Sequence, residues 1–273
     1  MRTIPLLVNR YRIFALIRNP AYLEKLRLLG VLPVIGDLDN RASLTRITGL
    51  ADAVLHFAPP ENSGACDTRT RSLLSALSRG TQPRHLIYIS TSDVYGDCGG
   101  ARVSESHPLN PQTARAQRRV DAERQIRNWA KRNHVKVSVL RVPGIYAADR
   151  LPLNRLRAGA PAIVQEEDSY TNHIHADDLA RISIAALQYG KACRVYHASD
   201  DSDLKMGDYF DAVADAFGLP HTPRLARAEI KHAVSPALWS FMNESRRLTN
   251  TRMKRELKVR LRYPTVANLL KDA

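Results

Sequence analysis

An α/β fold, a parallel sheet with helices on both faces, is what this 273-residue sequence predicts. Three observations carry that expectation. Short apolar runs, among them YRIFALIR, VLPVI, AVLHF, HLIYIS and VKVSVLR, recur through the first half. Helical segments with an apolar stripe separate them. The runs are continuous rather than alternating, as in strands buried on both faces. Crossovers between parallel strands of this kind are right-handed.

The elements follow in order. MRTIPLLVNR reads as the end of a helix, and Tyr11–Arg18 as a buried strand. Pro20 can open a helix over Ala21–Leu29, with Leu23, Leu26 and Leu29 on one face and Gly30 as the stop. Val31–Ile35 is the next strand, Gly36-Asp37 a turn and Ser43–Ile47 a short helix. Ala53–Phe57 is a strand closed by Pro59-Pro60. Thr68–Ser78 is a helix burying Leu73, Leu74 and Leu77, and His85–Ser90 a buried strand. Thr113–Asn133 is the longest helix, with Ala116, Val120, Ile126 and Trp129 inward, and Val135–Arg141 is the strand after it. The second half is less regular. It offers a helix at Leu151–Ala158, a strand-like edge at Ser169–Ile174 and a helix at His175–Tyr189. A strand at Arg194–His197, a helix at Leu204–Phe217 and two or three short helices from Arg224 to Ala273 complete it. Residues 1–150 are expected to form the core and residues 151–273 a mixed region, in which about 169–198 returns to the core sheet.

Composition bounds the function. The apolar fraction of 44% and charged fraction of 25% are ordinary for a globular chain. No stretch of eighteen apolar residues predicts a membrane span, and the broken run IPLLV is a poor secretion signal. The formal charge of +14 attracts polyanions. The basic residues are spread out, however, so a solvated basic surface is favoured over nucleic-acid binding. In the densest cluster, Arg246–Arg262, interleaved Leu248, Met253, Leu257, Val259 and Leu261 predict one side against a core. Cys66, Cys98 and Cys193 are scattered and odd in number, which fits a reducing, cytoplasmic setting.

The richest stretch for chemistry is IYISTSDVYG, residues 87–96. A strand ends there and Ser90, Thr91, Ser92 and Asp93 follow, where a doubly wound sheet binds its ligands. Such hydroxyls can donate to a substrate oxygen, or merely satisfy their own turn. Arg18 follows the first strand directly, where an arginine suits a ribose 2′-phosphate. The pair His173 and His175 beside Asp178 suggests a metal, but no third well-spaced ligand is evident. Asp178 is expected to meet basic groups or cap a turn.

Several motifs agree in order with one family. STSDVYG, PQTARAQRRVDAE, LRVPGIY and NHIHADDLA together resemble the extended short-chain dehydrogenase/reductase superfamily, in its nucleotide-sugar epimerase and dehydratase branch. Within it the block GDCGG and the ending NTRMKRELKVRLRYPT are similar to a group of atypical bacterial members. The likeness covers essentially the whole chain. It implies a Rossmann-like sheet with a small C-terminal substrate-side subdomain, and NADP or NAD as cofactor, Arg18 leaning toward NADP. Asp37 and Leu38 resemble the pair that meets the adenine, Ala58 and Pro59 the loop that lines the cofactor, and Pro143 the segment over the nicotinamide.

The departures are chemical. Anchored on Glu123, the family's tyrosine falls on Arg115 and its lysine on Arg119. A guanidinium does not trade protons near neutral pH. Arg119 can still hold a ribose or phosphate, and Arg115 an anionic substrate or an oxyanion. Thr91, with Ser90 and Ser92, takes the catalytic hydroxyl's place. Tyr95, Asp93 and His56 are the surrogate acids to look for. The glycine-rich turn and central first strand of the family are expected to be missing, which would leave two strand edges uncovered. The sequence thus predicts an NAD(P)-dependent oxidoreductase or epimerase/dehydratase-like protein for a small hydroxylated or anionic substrate. The alternatives are a non-catalytic dinucleotide sensor or partner-binding protein, and an inactive truncated remnant. The resemblance further implies a homodimer paired through two long helices, for which 68–78 and 113–133 are the candidates, though their outward faces are polar.

Overall fold

A computed structural model describes residues 1–271; the last two residues of the expected 151–273 region lie outside the described residues. The first half runs α1 (Ile4–Leu7), β1 (Ile13–Ile17), α2 (Leu23–Leu28), β2 (Val31–Ile35), β3 (Ala53–His56), α3 (Thr68–Leu77) and β4 (His85–Thr91). It continues with β5 (Arg102–Val103), α4 (Ala114–Asn133), β6 (Lys136–Val142) and β7 (Gly144–Tyr146). The second half holds α5 (Leu153–Arg157), β8 (Ala162–Ile163), β9 (Tyr170–Thr171), β10 (His173–His175), α6 (Ala176–Tyr189) and β11 (Arg194–His197). Then come β12 (Leu204–Lys205), α7 (Met206–Ala216), β13 (Arg224–Leu225), α8 (Arg227–Ala233), α9 (Pro236–Met242), β14 (Arg247–Leu248), α10 (Thr251–Leu257) and α11 (Val266–Leu270).

The central sheet is parallel, in the order β11-β6-β4-β3. Its inner strands are almost wholly buried, which is why HLIYIS and VKVSVLR carry no polar alternation. The strand period of two divides β4 between two cores. Leu86 and Tyr88 pack with Leu73 and Leu77 of α3 and with Ile126 and Trp129 of α4. Ile87 and Ile89 pack on the other face with Leu179 and Ile182 of α6 and with Met253 and Leu257 of α10. A third cluster joins Tyr146 and Leu156 to Tyr209, Phe210 and Val213 of α7.

β1 pairs only with β2, and neither is hydrogen-bonded to the central sheet among the described residues. Every residue of β1 is therefore only half-buried. The pair is held to the rest through its following segment: Leu38 and Ile47 pack against the first core, and Arg41 donates to Ser75 Oγ at 2.6 Å.

Local chemistry sets the long helices. Thr113 Oγ1 accepts from Ala116 N at 3.1 Å to start α4, and His134, at φ 55°, ends it. Asp67 caps α3 through Thr70 N at 2.9 Å. Several boundaries differ from the sequence expectation. The helix expected at Ala21 opens as a 3₁₀ turn over Pro20–Tyr22, because Asn19 Oδ1 takes the Ala21 N–H. Arg41–Ile47 is likewise 3₁₀ rather than α-helical. Leu204 and Lys205, expected to be helical, pair with β9 instead. The tail holds four short helices among the described residues, α8 to α11, rather than two or three. No described helix is long and apolar enough to cross a membrane.

Gly96 is fixed by its backbone, at φ 66° and ψ −159°. A Cβ there would sit 2.3 Å from the Asn110 carbonyl oxygen. Gly96→Ala is expected to cost at least about 1–3 kcal/mol, read as a lowered thermal midpoint. An unchanged midpoint would show that this turn relaxes freely.

Candidate functional site

The carboxyl ends of the strands meet at one rim, and Arg69 of α3 shows how. Its guanidinium donates to both oxygens of Asp39, at 2.8 and 2.7 Å, beyond the end of β2. It also donates to the carbonyls of Pro59 and Pro60, at 3.2 and 3.3 Å, beyond the end of β3. The Arg69 bonds hold the Asp39 carboxyl below its ordinary range, and Arg18, exposed at the end of β1, adds to that field. Arg18, Asp37, Leu38, Ala58 and Pro59 thus lie around one corner. Pro143, half-buried, lies between β6 and β7 farther along the rim.

At the end of β4, Thr91 Oγ1 accepts from Asp93 N at 3.3 Å and caps a short 3₁₀ turn, Ser92–Tyr95. No donor bond from Thr91 occurs among the described residues, so its hydroxyl proton is left for another acceptor. Thr91 shares the face of Ile87 and Ile89, toward α6. Ser90 points the other way, beneath α4 beside the Glu123 carboxyl. Ser92 is buried within the turn. The structure therefore brings Thr91 to the rim and leaves Ser90 inside.

On α4 the residues 115, 119 and 123 form one row, four apart. Arg115 pairs with Asp93, and its guanidinium lies 4.2 Å from the Phe241 ring centroid. Arg119 donates to Ile89 O at 2.7 Å and to Tyr88 Oη at 3.1 Å. Its charge also reaches His56, at the end of β3. Glu123 is fully buried and takes a two-pronged bond from Arg141 of β6, at 3.0 and 2.8 Å.

None of the surrogate acids is free. Tyr95 is buried, and its hydroxyl accepts from Arg141 Nη1 at 2.7 Å. His197 Nδ1 lies 2.9 Å from the Thr249 carbonyl, so Nδ1 carries that proton and Nε2 accepts from Tyr95 Oη at 2.6 Å. Burial pushes Tyr95 up to about 12 and His197 down to about 3. His56 Nε2 donates to Thr70 Oγ1 at 2.9 Å, since the Thr70 proton goes to Asp67 at 2.8 Å. Burial lowers His56 to about 3. Asp93 is held between Arg115 and Arg246, the latter at 3.2 Å. Tyr95→Phe is expected to cost about 1–3 kcal/mol in chemical denaturation. It should leave the pH profile of any ligand binding unchanged; a shifted profile would place Tyr95 in the site after all.

The residues of the metal reading have other partners. Asp178 accepts from Arg262 N at 2.9 Å and Tyr263 N at 2.8 Å and pairs with Arg181. His175 caps α6 through Asp177 N at 3.2 Å and stacks on Tyr263. His173 stacks on Tyr209.

Two cavities flank the rim. One, about 460 Å³, is mostly apolar, walled by Phe57, Ile89, Ile145 and Leu179 with Arg2 and Ser183. The other, about 480 Å³, is polar, lined by Asp97, Gln112, Asp168, Arg227, Asn243 and Ser245.

The sequence profile of the NAD dependent epimerase/dehydratase family matches residues 5–198. The chain belongs to this family. Among curated proteins it is 25% identical over 192 residues to dTDP-glucose 4,6-dehydratase of Mycobacterium tuberculosis, covering 62% of this chain. The chain spans 57% of that relative's length. Among solved structures, a conserved protein of unknown function from Silicibacter pomeroyi is 31% identical with a TM-score of 0.81, covering 100% of this chain and 94% of that one. The dTDP-glucose 4,6-dehydratase of Streptomyces venezuelae, with NAD bound, shares the fold at TM-score 0.76 and 20% identity, covering 95% of this chain and 85% of that one. Exposed Arg18 at the end of β1 and the apolar walls Phe57, Ile89 and Ile145 at the strand ends are groups that a nicotinamide dinucleotide can use, whereas Arg119 Nη1 is engaged by Ile89 O and Tyr88 Oη.

Sequence reasoning missed Arg69, Arg141 and Arg246. Arg141 carried a signal: an arginine inside the apolar run VKVSVLR needs a buried acid, and Glu123 on the preceding helix, α4, is that acid.

Proposed function

We propose that the chain binds a nicotinamide dinucleotide along the carboxyl rim and acts on a small hydroxylated substrate, with proton handling that does not run through residues 115 and 119. The carrying observation is the rim itself: Arg69 joins the ends of β2 and β3, while Arg119 reaches the Ile89 carbonyl beside Thr91. When bound, the dinucleotide supplies hydride transfer. Thr91 donates a hydrogen bond to the substrate oxygen, Arg119 holds the ribose, and Arg18 favours NADP. The polar cavity of Gln112, Arg227, Asn243 and Ser245 offers amide, guanidinium and hydroxyl groups to sugar-like hydroxyls. The unpaired edges of β1 and β3 suit one further parallel strand between them, completing a Rossmann-like order. A substrate-side unit formed from residues 151–273 apart from about 169–198, which return to the core, and a homodimer through α3 and α4, belong to the same proposal.

A second reading, a dinucleotide sensor without turnover, is favoured by one observation. Arg115 and Arg119 are already engaged by the protein, and Tyr95, Asp93 and His56 are locked. Equilibrium titration with NADPH and NADH, followed by a turnover screen with hydroxylated substrates, separates the two. Binding with turnover supports the enzyme, and saturable binding without turnover supports the sensor. Absence of binding removes both. Arg119→Ala is expected to weaken binding about tenfold, the loss of one charge-assisted contact worth about 1.4 kcal/mol. Unchanged affinity would remove Arg119 from the site.

A further inference from the structure

The joint between the β7–β10 pair and α7 is built around an acid that the proposed chemistry does not use. Asp200, in the turn after β11, is buried. Its backbone is clamped on both sides. Its N–H donates to the His173 carbonyl at 2.8 Å, and its carbonyl accepts from Asn250 Nδ2 at 3.0 Å. The carboxyl therefore cannot swing out to water by rotating the chain. Oδ1 accepts from Ser202 N at 3.0 Å. Among the described residues, Oδ2 makes no well-formed hydrogen bond, nor do the Tyr146 hydroxyl beside it and His173 Nδ1. The His173 ring stacks on Tyr209 of α7 at 4.2 Å and meets Tyr146 of β7 edge-on at 6.1 Å. The groups facing this carboxyl are thus Tyr146 from β7, Tyr209 from α7, and Ser202 and Asp201 from its own turn, while β10 meets Asp200 through the His173 backbone carbonyl. Asp178 of α6 adds a further negative charge near Tyr146. No cation among the described residues pairs with Asp200; Lys254 of α10 is taken by Asp201.

We propose that Asp200 is a proton-operated clasp: its neutral form closes the joint between the β7–β10 pair and α7, and rising pH opens that joint. A lone carboxylate in this setting lacks compensation, whereas a neutral carboxyl can share a hydrogen with the Tyr146 hydroxyl. Burial raises the Asp200 carboxyl to about 7 from an ordinary value of 3.8. The sign follows by linkage. The closed form keeps its proton while the opened form loses it, so closure is fully supported below about pH 4. That support falls through the interval up to about pH 7 and is constant beyond. His173, lowered by burial to about 4, titrates in the opposite sense over part of this range. Comparison with Asp200→Asn cancels it.

The test is hydrogen exchange of α7 amides, corrected for intrinsic rates, together with thermal melts of the wild-type chain and Asp200→Asn at pH 5 and pH 8. The wild type is expected to lose at least about tenfold more α7 protection than Asp200→Asn between these pH values. Its midpoint, measured against that variant, should fall by on the order of 5 °C. Parallel changes in both proteins, or a loss spread evenly over every element, would overturn the clasp. Should Asp200→Asn fail to fold, the infrared carbonyl band of a protonated carboxyl in the wild type decides. It is expected at pH 5 and absent at pH 8, and its absence at pH 5 overturns the proposal.

Discussion

Glu123→Ala is expected to destabilise the chain by about 3–5 kcal/mol, the cost of stranding a buried partner charge. Arg141 is 3% exposed and would lose both prongs of its carboxylate bond. The loss reaches farther, because Arg141 also holds the Tyr95 hydroxyl, which donates to His197. One substitution therefore loosens α4, β6, the turn after β4 and β11 together. Urea unfolding gives the measurement, and a change below about 1 kcal/mol would show that water reaches this network. The same pair predicts acid sensitivity. Burial alone would raise the Glu123 carboxyl, but the Arg141 bonds outweigh it and hold the group below its ordinary 4.5. A depressed acid supports folding above that value and loses the support as pH falls beneath it. Glu123→Gln should flatten the acid limb of the stability curve.

Asp178→Ala is the second large effect, expected at about 3–4 kcal/mol. Asp178 is fully buried in the first turn of α6, where its carboxylate also suits the helix N-terminus. It accepts the backbone N–H groups of Arg262 and Tyr263, which fastens the tail to α6. Truncation leaves two backbone donors without their acceptor, at about 1–3 kcal/mol each, partly relieved if the tail lifts into water. Asp178→Asn retains one acceptor oxygen and should lose less. Equal losses for Ala and Asn would assign the effect to charge rather than to the tail. Exchange of the Tyr263 amide, fast in both variants only if the tail detaches, checks the same point.

The strands that were legible are those whose apolar runs face two covered surfaces, such as HLIYIS between α3, α4 and α6. The short elements of the second half were not, because two-residue strands such as Leu204–Lys205 owe their form to a distant partner. Arg115 and Arg119 were legible as a pair from their spacing. That Arg115 would be taken by Asp93 and Phe241 was not, since Phe241 comes from a helix far away in sequence. Tyr95 looked reactive as part of DVYG. Only the fold reveals His197 and Arg141 around its hydroxyl. Asp178, read as meeting basic groups or capping a turn, pairs with Arg181 and receives the tail's amides.

A crystal structure of the chain soaked with NADPH tests the central claim most directly. The account predicts dinucleotide density along the carboxyl rim, with its ribose against Arg119, its 2′-phosphate at Arg18 and Thr91 within hydrogen-bond reach of the reacting end. Density elsewhere on the surface, or a rim left bare at saturating dinucleotide, would contradict it.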